Sequence, residues 1–206
     1  MLHSARLRDT AVRRMSTKPV DRHIALLRGI NVGGNKKVPM AALREIAAEL
    51  GWKSVATYIQ SGNVVFAAKG NADALAAKLE RAIEARFGFA VPVVVCDGAD
   101  WLAWAKGSPF ADAEMARANL LHLGVSKSAP KSDAAKALAP YCTQGERVAI
   151  RGAAIWIDFA NGVARSKLTP AVLDRCVGST VTMRNWKSVQ AIAAMLRGDG
   201  DGDSGD

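Results

Sequence analysis

Gly29-Ile-Asn-Val-Gly-Gly34 places four residues between two glycines, and Asn35-Lys36-Lys37 follows. This comes close to a phosphate-binding loop, but such a loop needs Ser or Thr after its lysine to meet Mg²⁺, and no hydroxyl stands there. An ATPase reading fails on that point. What remains is a glycine-rich turn feeding a helix N-terminus, with Lys36 and Lys37 beside it, which can hold an anion through backbone N–H groups. The same residues also suit a plain turn in which glycines supply positive φ and the lysines are solvated. Tyr58-Ile-Gln-Ser-Gly-Asn63 gathers a phenol, a hydroxyl and two amides (Tyr58, Ser61, Gln60, Asn63) around one hairpin, as hydrogen-bonding groups for a ligand or as ordinary turn chemistry.

Two further basic stretches sit at expected helix starts: Arg165-Ser-Lys167 and Arg184-Asn185-Trp186-Lys187. Ser166 and Asn185 read as N-caps. Cations at a helix N-terminus oppose its dipole unless an anion is bound, so the recurrence of the pattern points to an anionic ligand. Other chemistries find less support. Cys96, Cys142 and Cys176 form no close pair, and His23 and His122 are the only histidines outside the N-terminal tail, so no metal site of ordinary spacing is expected. No cofactor is called for. No local signature pairs a cysteine with a histidine for nucleophilic attack. Asp158, beside Trp156, is the one strand carboxylate of note, with no second acid evident near it.

The net charge of +9 resides in the body of the chain, because the basic N-terminal tail and the four aspartates after Gly198 cancel. That balance suits phosphate, nucleotide or nucleic acid, and equally a basic surface with no partner. No apolar run reaches the length that spans a bilayer, and Met1–Arg22 lacks the apolar stretch of a secretory signal. The expectation is a cytoplasmic protein with reduced thiols and no membrane contact. Met15-Ser-Thr-Lys-Pro stands just ahead of the first strand, so Met1–Arg14 reads as an over-long gene start or a loose tail, beside a targeting reading.

To position these residues the chain needs strands and helices in a particular order. Strands are expected at His23–Arg28, Val55–Gln60, Asn63–Ala67 and Val91–Cys96, with helices at Met40–Leu50 and Asn71–Phe87. The second half repeats the order: strands at Asn119–Val125, Arg147–Arg151, Ala154–Ala160 and Thr180–Arg184, helices at Lys131–Tyr141 and Lys167–Val177, and a closing helix at Asn185–Leu196. Asp100–Lys106 reads as a short linking helix. The fold class is therefore α+β: two tandem ferredoxin-like (βαββαβ) units with an extra C-terminal helix. The divisions are a disordered basic tail (1–22), an N-terminal ferredoxin-like unit (23–97), a linker with a short helix (98–118), a C-terminal α+β unit (119–197) and a disordered acidic tail (198–206). Ile24–Leu27 and Val93–Val95 are apolar on both faces, so something beyond the first unit's own helices must cover its sheet: the second unit or a second copy of the chain. An RNA-recognition motif shares this order but needs aromatics on its central strands, and the first unit offers only Phe66.

Ala25–Gly34, Thr57–Val65, Asn161–Leu168 and Thr182–Trp186, taken in order, resemble the signature stretches of the bacterial family called domain of unknown function 1697, over about His23 to Leu196. Lys187-Ser188 stands where that family's last stretch usually has Asn-Thr. The resemblance implies a cytoplasmic bacterial α+β protein and imports no activity. The leading reading is a binding protein or enzyme for a small phosphate- or carboxylate-bearing ligand. Its site would gather Arg28, Asn31, Lys36, Tyr58, Gln60, Ser61, Asn63, Arg165, Lys167, Arg184 and Asn185 in a cleft between the units. The alternatives are a nucleic-acid-binding module using the same basic residues, and a homodimeric interaction scaffold without catalysis; monomer and homodimer both stay open.

Overall fold

The computed structural model describes residues 21–198, and the predicted tails lie outside these residues apart from Asp21, Arg22 and Gly198. The first half runs β1 (Arg22–Leu27), α1 (Met40–Glu49), β2 (Lys53–Tyr58), β3 (Asn63–Ala67), α2 (Ala72–Phe87) and β4 (Val93–Asp97). Two connecting helices follow, α3 (Gly98–Trp104) and α4 (Ala111–Ala116). The second half repeats the order with β5 (Leu121–Ser126), α5 (Ala134–Leu138), β6 (Arg147–Arg151), β7 (Ala154–Asp158), α6 (Pro170–Val177) and β8 (Val181–Asn185), and α7 (Trp186–Arg197) closes the chain. Each half forms a four-stranded antiparallel sheet, in the orders β2-β3-β1-β4 and β6-β7-β5-β8. The fold is α+β.

Period-2 alternation in β1 sorts the first unit's core. Ala25 and Leu27 point to one face, where α1 and α2 bring Leu43, Ile46, Leu75, Leu79 and Ile83. Ile24 and Leu26 point to the other, joined by Val65, Val94 and Cys96. That second face is the one for which the sequence required a cover, and the chain supplies it. Trp101 of α3, Trp186, Val189, Ile192 and Leu196 of α7, and Leu121, Leu123, Val125 and Trp156 of the second sheet complete the same cluster. Trp101 Nε1 donates to Val189 O at 3.1 Å and Gln190 Nε2 to Ala105 O at 2.8 Å, which fastens α3 to α7 inside this layer. A third cluster lies on the far face of the second sheet, under α5 and α6. Each large apolar side chain buried here contributes about 1.5–3 kcal/mol. The layer shared by both sheets therefore binds the two units into one body.

Some elements differ from the sequence reading, for local reasons. The expected helix at Lys131–Tyr141 is only Ala134–Leu138, continued by a 3₁₀ turn at Ala139–Tyr141 where Pro140 has no N–H to offer. The helix expected from Lys167 begins at Pro170, a residue suited to a first helical position. Its cap is Thr169, whose Oγ1 accepts from Val172 N at 3.4 Å. Ser166, the cap expected from the sequence, turns instead to Glu146 and to Leu168 N. Helix α4 was not anticipated. Ser108 N donates to the Glu114 carboxylate there and folds the chain back over its own helix.

Candidate functional site

The residues of the expected site begin with Arg184, in the second unit on β8 opposite Leu123 of β5. Its guanidinium crosses to the first unit. Nη2 donates to Leu27 O at 2.9 Å, Ser61 O at 3.1 Å and Gly62 O at 3.2 Å, while Nε donates to Asn63 Oδ1. Nη1 is held by Thr182 Oγ1 at 2.9 Å and Met183 O at 2.8 Å. No carboxylate is among these partners, so amide and hydroxyl dipoles alone solvate the cation. Burial pushes its pKa down to about 10, still far enough above neutrality to keep it charged.

Asn63 is fully buried, and its Nδ2 returns to Tyr58 O at 2.9 Å and Ser61 Oγ at 3.0 Å, which shapes the β2–β3 turn. Gly62 carries φ +75, and a Cβ there would lie 2.7 Å from both Ile30 Cδ1 and Leu27 Cβ, so only glycine lets the turn approach β1 this closely. Asn31 extends the network: its Nδ2 donates to Gln60 O at 2.8 Å and Val38 O at 3.0 Å, and its Oδ1 accepts from Val38 N at 2.9 Å. Tyr58 packs against the shared core.

The structure thus brings Arg184, Asn63, Ser61, Gln60, Tyr58 and Asn31 together at the boundary of the units, where Gln60 and Tyr58 join the hydrogen-bond network through their backbone carbonyls. Arg28 lies nearby and is neutralised by Asp174 at 2.7 Å, a carboxylate that also accepts from Val181 N. Asn185 caps α7, accepting from Ser188 N at 2.9 Å. Lys36 faces outward and donates to Ala90 O at 2.8 Å. Arg165 and Lys167 are exposed, and among the described residues no hydrogen bond or ion pair ties them to this network. The assembly is a clamp between two units, and none of these residues lines the cavity described below.

Asp158 has the company that the sequence did not reveal. It is buried and accepts from Arg117 and Arg147, which both reach Asp112 of α4 as well. Burial works to raise the Asp158 carboxyl, and the two arginines more than offset it, so it sits below the usual carboxylate range. Arg147 also lies over the Phe110 ring, 4.6 Å from its centroid. This is a closed ion network, with a carboxylate held ionised and no proton to give. Among the described residues no group of three His, Cys, Asp or Glu side chains is placed to hold a metal ion.

A cavity of about 530 Å³ opens elsewhere, at the other end of the first sheet. It is lined by Asp21, Arg22 and His23 at the start of β1, by Gly70, Asn71 and Ala72 at the start of α2, by Asp97, Gly98, Ala99 and Leu102 where β4 runs into α3, and by Leu196 of α7. Sheet register makes the site: His23 is opposite Asp97 in the β1–β4 pairing. His23 is 2 % exposed, and neither ring nitrogen has a hydrogen-bond partner. Its Nδ1 lies 3.0 Å from Asp97 Oδ1, an ion-pair distance without hydrogen-bond alignment. The Asp97 carboxylate itself is 61 % exposed. Gly98 is fixed by packing, since a Cβ there would lie 2.9 Å from Arg22 O. The buried Cys96 thiol is pushed far up, first by burial and then by Asp100 and Asp97. None of these residues carries a motif. The available signal was a histidine inside an apolar strand, together with Asp-Gly at the end of its neighbour.

With the fold in place, the chain can be set beside known proteins. The solved structure of the conserved bacterial protein SP0830 from Streptococcus pneumoniae superposes with a TM-score of 0.63 at 24% identity, covering 85% of this chain and 98% of that one. At that identity the likeness speaks for the fold. No curated protein matches the chain. The profile of the protein family of unknown function DUF1697 matches residues 20–156, from the residue before Asp21 through Trp156 of β7, which includes the first two of the four signature stretches. The chain belongs to the DUF1697 family.

Proposed function

We propose that the protein binds a small polar organic molecule in the cavity between β1, the start of α2 and the start of α3. The observation that carries this reading is His23, an almost fully buried imidazole that makes no hydrogen bond through either nitrogen, on the wall of that cavity. A buried polar group without a partner is unfavourable by about 1–3 kcal/mol, and native structures rarely leave one so. A ligand of ordinary size fits the volume, and the cavity lies where the first unit meets the shared helical layer, the kind of junction at which small-molecule sites concentrate.

Thermal unfolding against a panel of amines, carboxylates, sugar phosphates and nucleotides tests it. A ligand at a hundred times its dissociation constant adds about 2.7 kcal/mol. The stabilisation should vanish in Leu102→Trp, which fills the cavity, and survive in Arg165→Ala. Stabilisation that survives Leu102→Trp and is lost in Arg165→Ala sinks this reading.

A second reading, binding of phosphate groups or nucleic acid on the outer surface, is favoured by Lys37, Arg165 and Lys167. These are exposed, and among the described residues none has a carboxylate partner. Steep salt dependence with any oligonucleotide would mark it. For the architecture, the matching strand orders of the two sheets support tandem ferredoxin-like units with α7 as the added helix. The unpaired thiols of Cys96, Cys142 and Cys176 support a reducing, cytoplasmic setting.

A further inference from the structure

We infer that two neighbouring loops, 31–37 and 59–61, seat the protein on an anionic lipid surface, with Val32 and Ile59 entering the headgroup layer and Lys36 and Lys37 meeting lipid phosphates. These loops lie at the opposite end of β1 from the cavity and act independently of it.

The first loop is a miniature hairpin. Asn35 N donates to Val32 O at 3.1 Å and Asn31 N to Lys36 O at 3.2 Å, around Gly33 and Gly34, which both carry the positive φ of a tight hairpin turn. Asn31 Nδ2 joins it to the second loop through Gln60 O at 2.8 Å, and Lys36 Nζ pins it to Ala90 O at 2.8 Å. The two loops stand as one preformed projection, so little further ordering is needed when a surface is met.

Two separate signs mark the projection as a contact. Among the described residues four large apolar side chains are exposed, and two of them flank the Asn31–Gln60 bond: Val32 at 68 % and Ile59 at 53 %. Ile59 also holds φ +47, a left-handed conformation that is a genuine outlier for a β-branched residue and that Asn or Gly adopts with ease. A half-exposed isoleucine gains little from the core, so the strain finds little compensation within the chain.

The side chains discriminate among partners. The loops expose Val32, Asn35, Lys36, Lys37, Ile59 and Gln60, with no aromatic or arginine among them. Protein interfaces favour aromatics, Met and Arg and are depleted in Lys, while single-stranded nucleic acid stacks on aromatic platforms. A duplex backbone would use the lysines and leave the aliphatic tips in water. A bilayer surface takes both, the tips at its acyl boundary and the lysines at its anionic headgroups. Neither lysine has a carboxylate partner among the described residues, and the net charge of +9 adds long-range attraction. The lack of a spanning run led to an expectation of no membrane contact, but loop tips in a headgroup layer need no such run.

Co-sedimentation of the full chain with vesicles of phosphatidylcholine, with and without phosphatidylglycerol, tests this. The protein should sediment only with the anionic vesicles, and less so as salt rises. Ile59→Asn should weaken the partition about fivefold while its unfolding midpoint holds or rises, a split that a purely structural isoleucine would not give. Lys37→Gln should also weaken it about fivefold, whereas Arg151→Gln, which removes the same charge from the second unit, should change it little. No binding to anionic vesicles overturns the inference. So does equal weakening by Lys37→Gln and Arg151→Gln with no effect of Ile59→Asn, which would leave only diffuse attraction to a basic protein. It falls equally if an oligonucleotide, and not the vesicles, responds to Ile59→Asn and Lys37→Gln.

Discussion

Arg184 and Asn63, 121 residues apart in sequence, meet side chain to side chain across the boundary of the two units, the guanidinium Nε donating to the amide Oδ1. Both are buried, and every other bond that either makes runs to the backbone or to a hydroxyl. Arg184→Met would leave Asn63 Oδ1 and the Leu27 carbonyl without this donor in a dry interior, while Gly62 O keeps Leu27 N. The expected loss is about 3–5 kcal/mol, read as a lower midpoint in urea unfolding. Arg184→Lys should recover little, because a point ammonium cannot reproduce the planar fork. A double-mutant cycle with Asn63→Ala should show coupling of about 1–3 kcal/mol.

Two glycines with positive φ separate conformational strain from crowding. Gly33→Ala meets open space, so its φ of +58 alone should destabilise by about 1–2 kcal/mol. Gly62→Ala adds contacts at 2.7 Å with Ile30 and Leu27, and overpacking contributes about 1–3 kcal/mol more. Chemical denaturation of the two variants side by side checks the order.

The Asp158 network sets an acid limit on stability. Its folded carboxyl titrates below the unfolded value of about 3.9, so the unfolded chain binds the proton first as pH falls. The contribution is complete above that value and disappears as pH drops through the folded pKa. Urea unfolding between pH 7 and 2.5 should therefore show stability falling below about pH 4. In Asp158→Asn the fall should be shallower, with about 1–3 kcal/mol already lost at pH 7 because the two arginines lose their buried partner and keep only the exposed Asp112.

Asn185, expected from the sequence either to touch a ligand or to cap a helix, caps α7 through Ser188 N. Asn185→Ala should lower stability by about 1 kcal/mol and Asn185→Asp should hold it, since Asp is an equal cap. Ligand stabilisation of the protein should be unchanged in Asn185→Asp.

Much of the architecture was legible because periodicity shows it directly. β3 and β6 fall on the expected residues, and the two-faced apolarity of Ile24–Leu27 announced a covered sheet whose cover proves to be the second unit with α3 and α7. Helix ends were less legible, since proline at 140 and at 170 acted through local geometry rather than through pattern. Arg184 meets Asn63 beside the turn that Asn31 holds, but sequence carries no sign of whether a guanidinium faces a ligand or a ring of carbonyls. The cavity was missed because its walls come from four separate segments. Only the register that sets His23 opposite Asp97 assembles them.

The most direct test of the account is a backbone amide chemical-shift map of the ¹⁵N-labelled protein with the best stabilising ligand from the panel. The account predicts that the largest shifts fall on Asp21–His23, Gly70–Ala72 and Asp97–Ala99, with residues 29–37 and 161–167 unmoved. Shifts concentrated on residues 29–37 and 161–167, with Gly98 and Ala72 unmoved, would contradict it and return the ligand site to the basic loops.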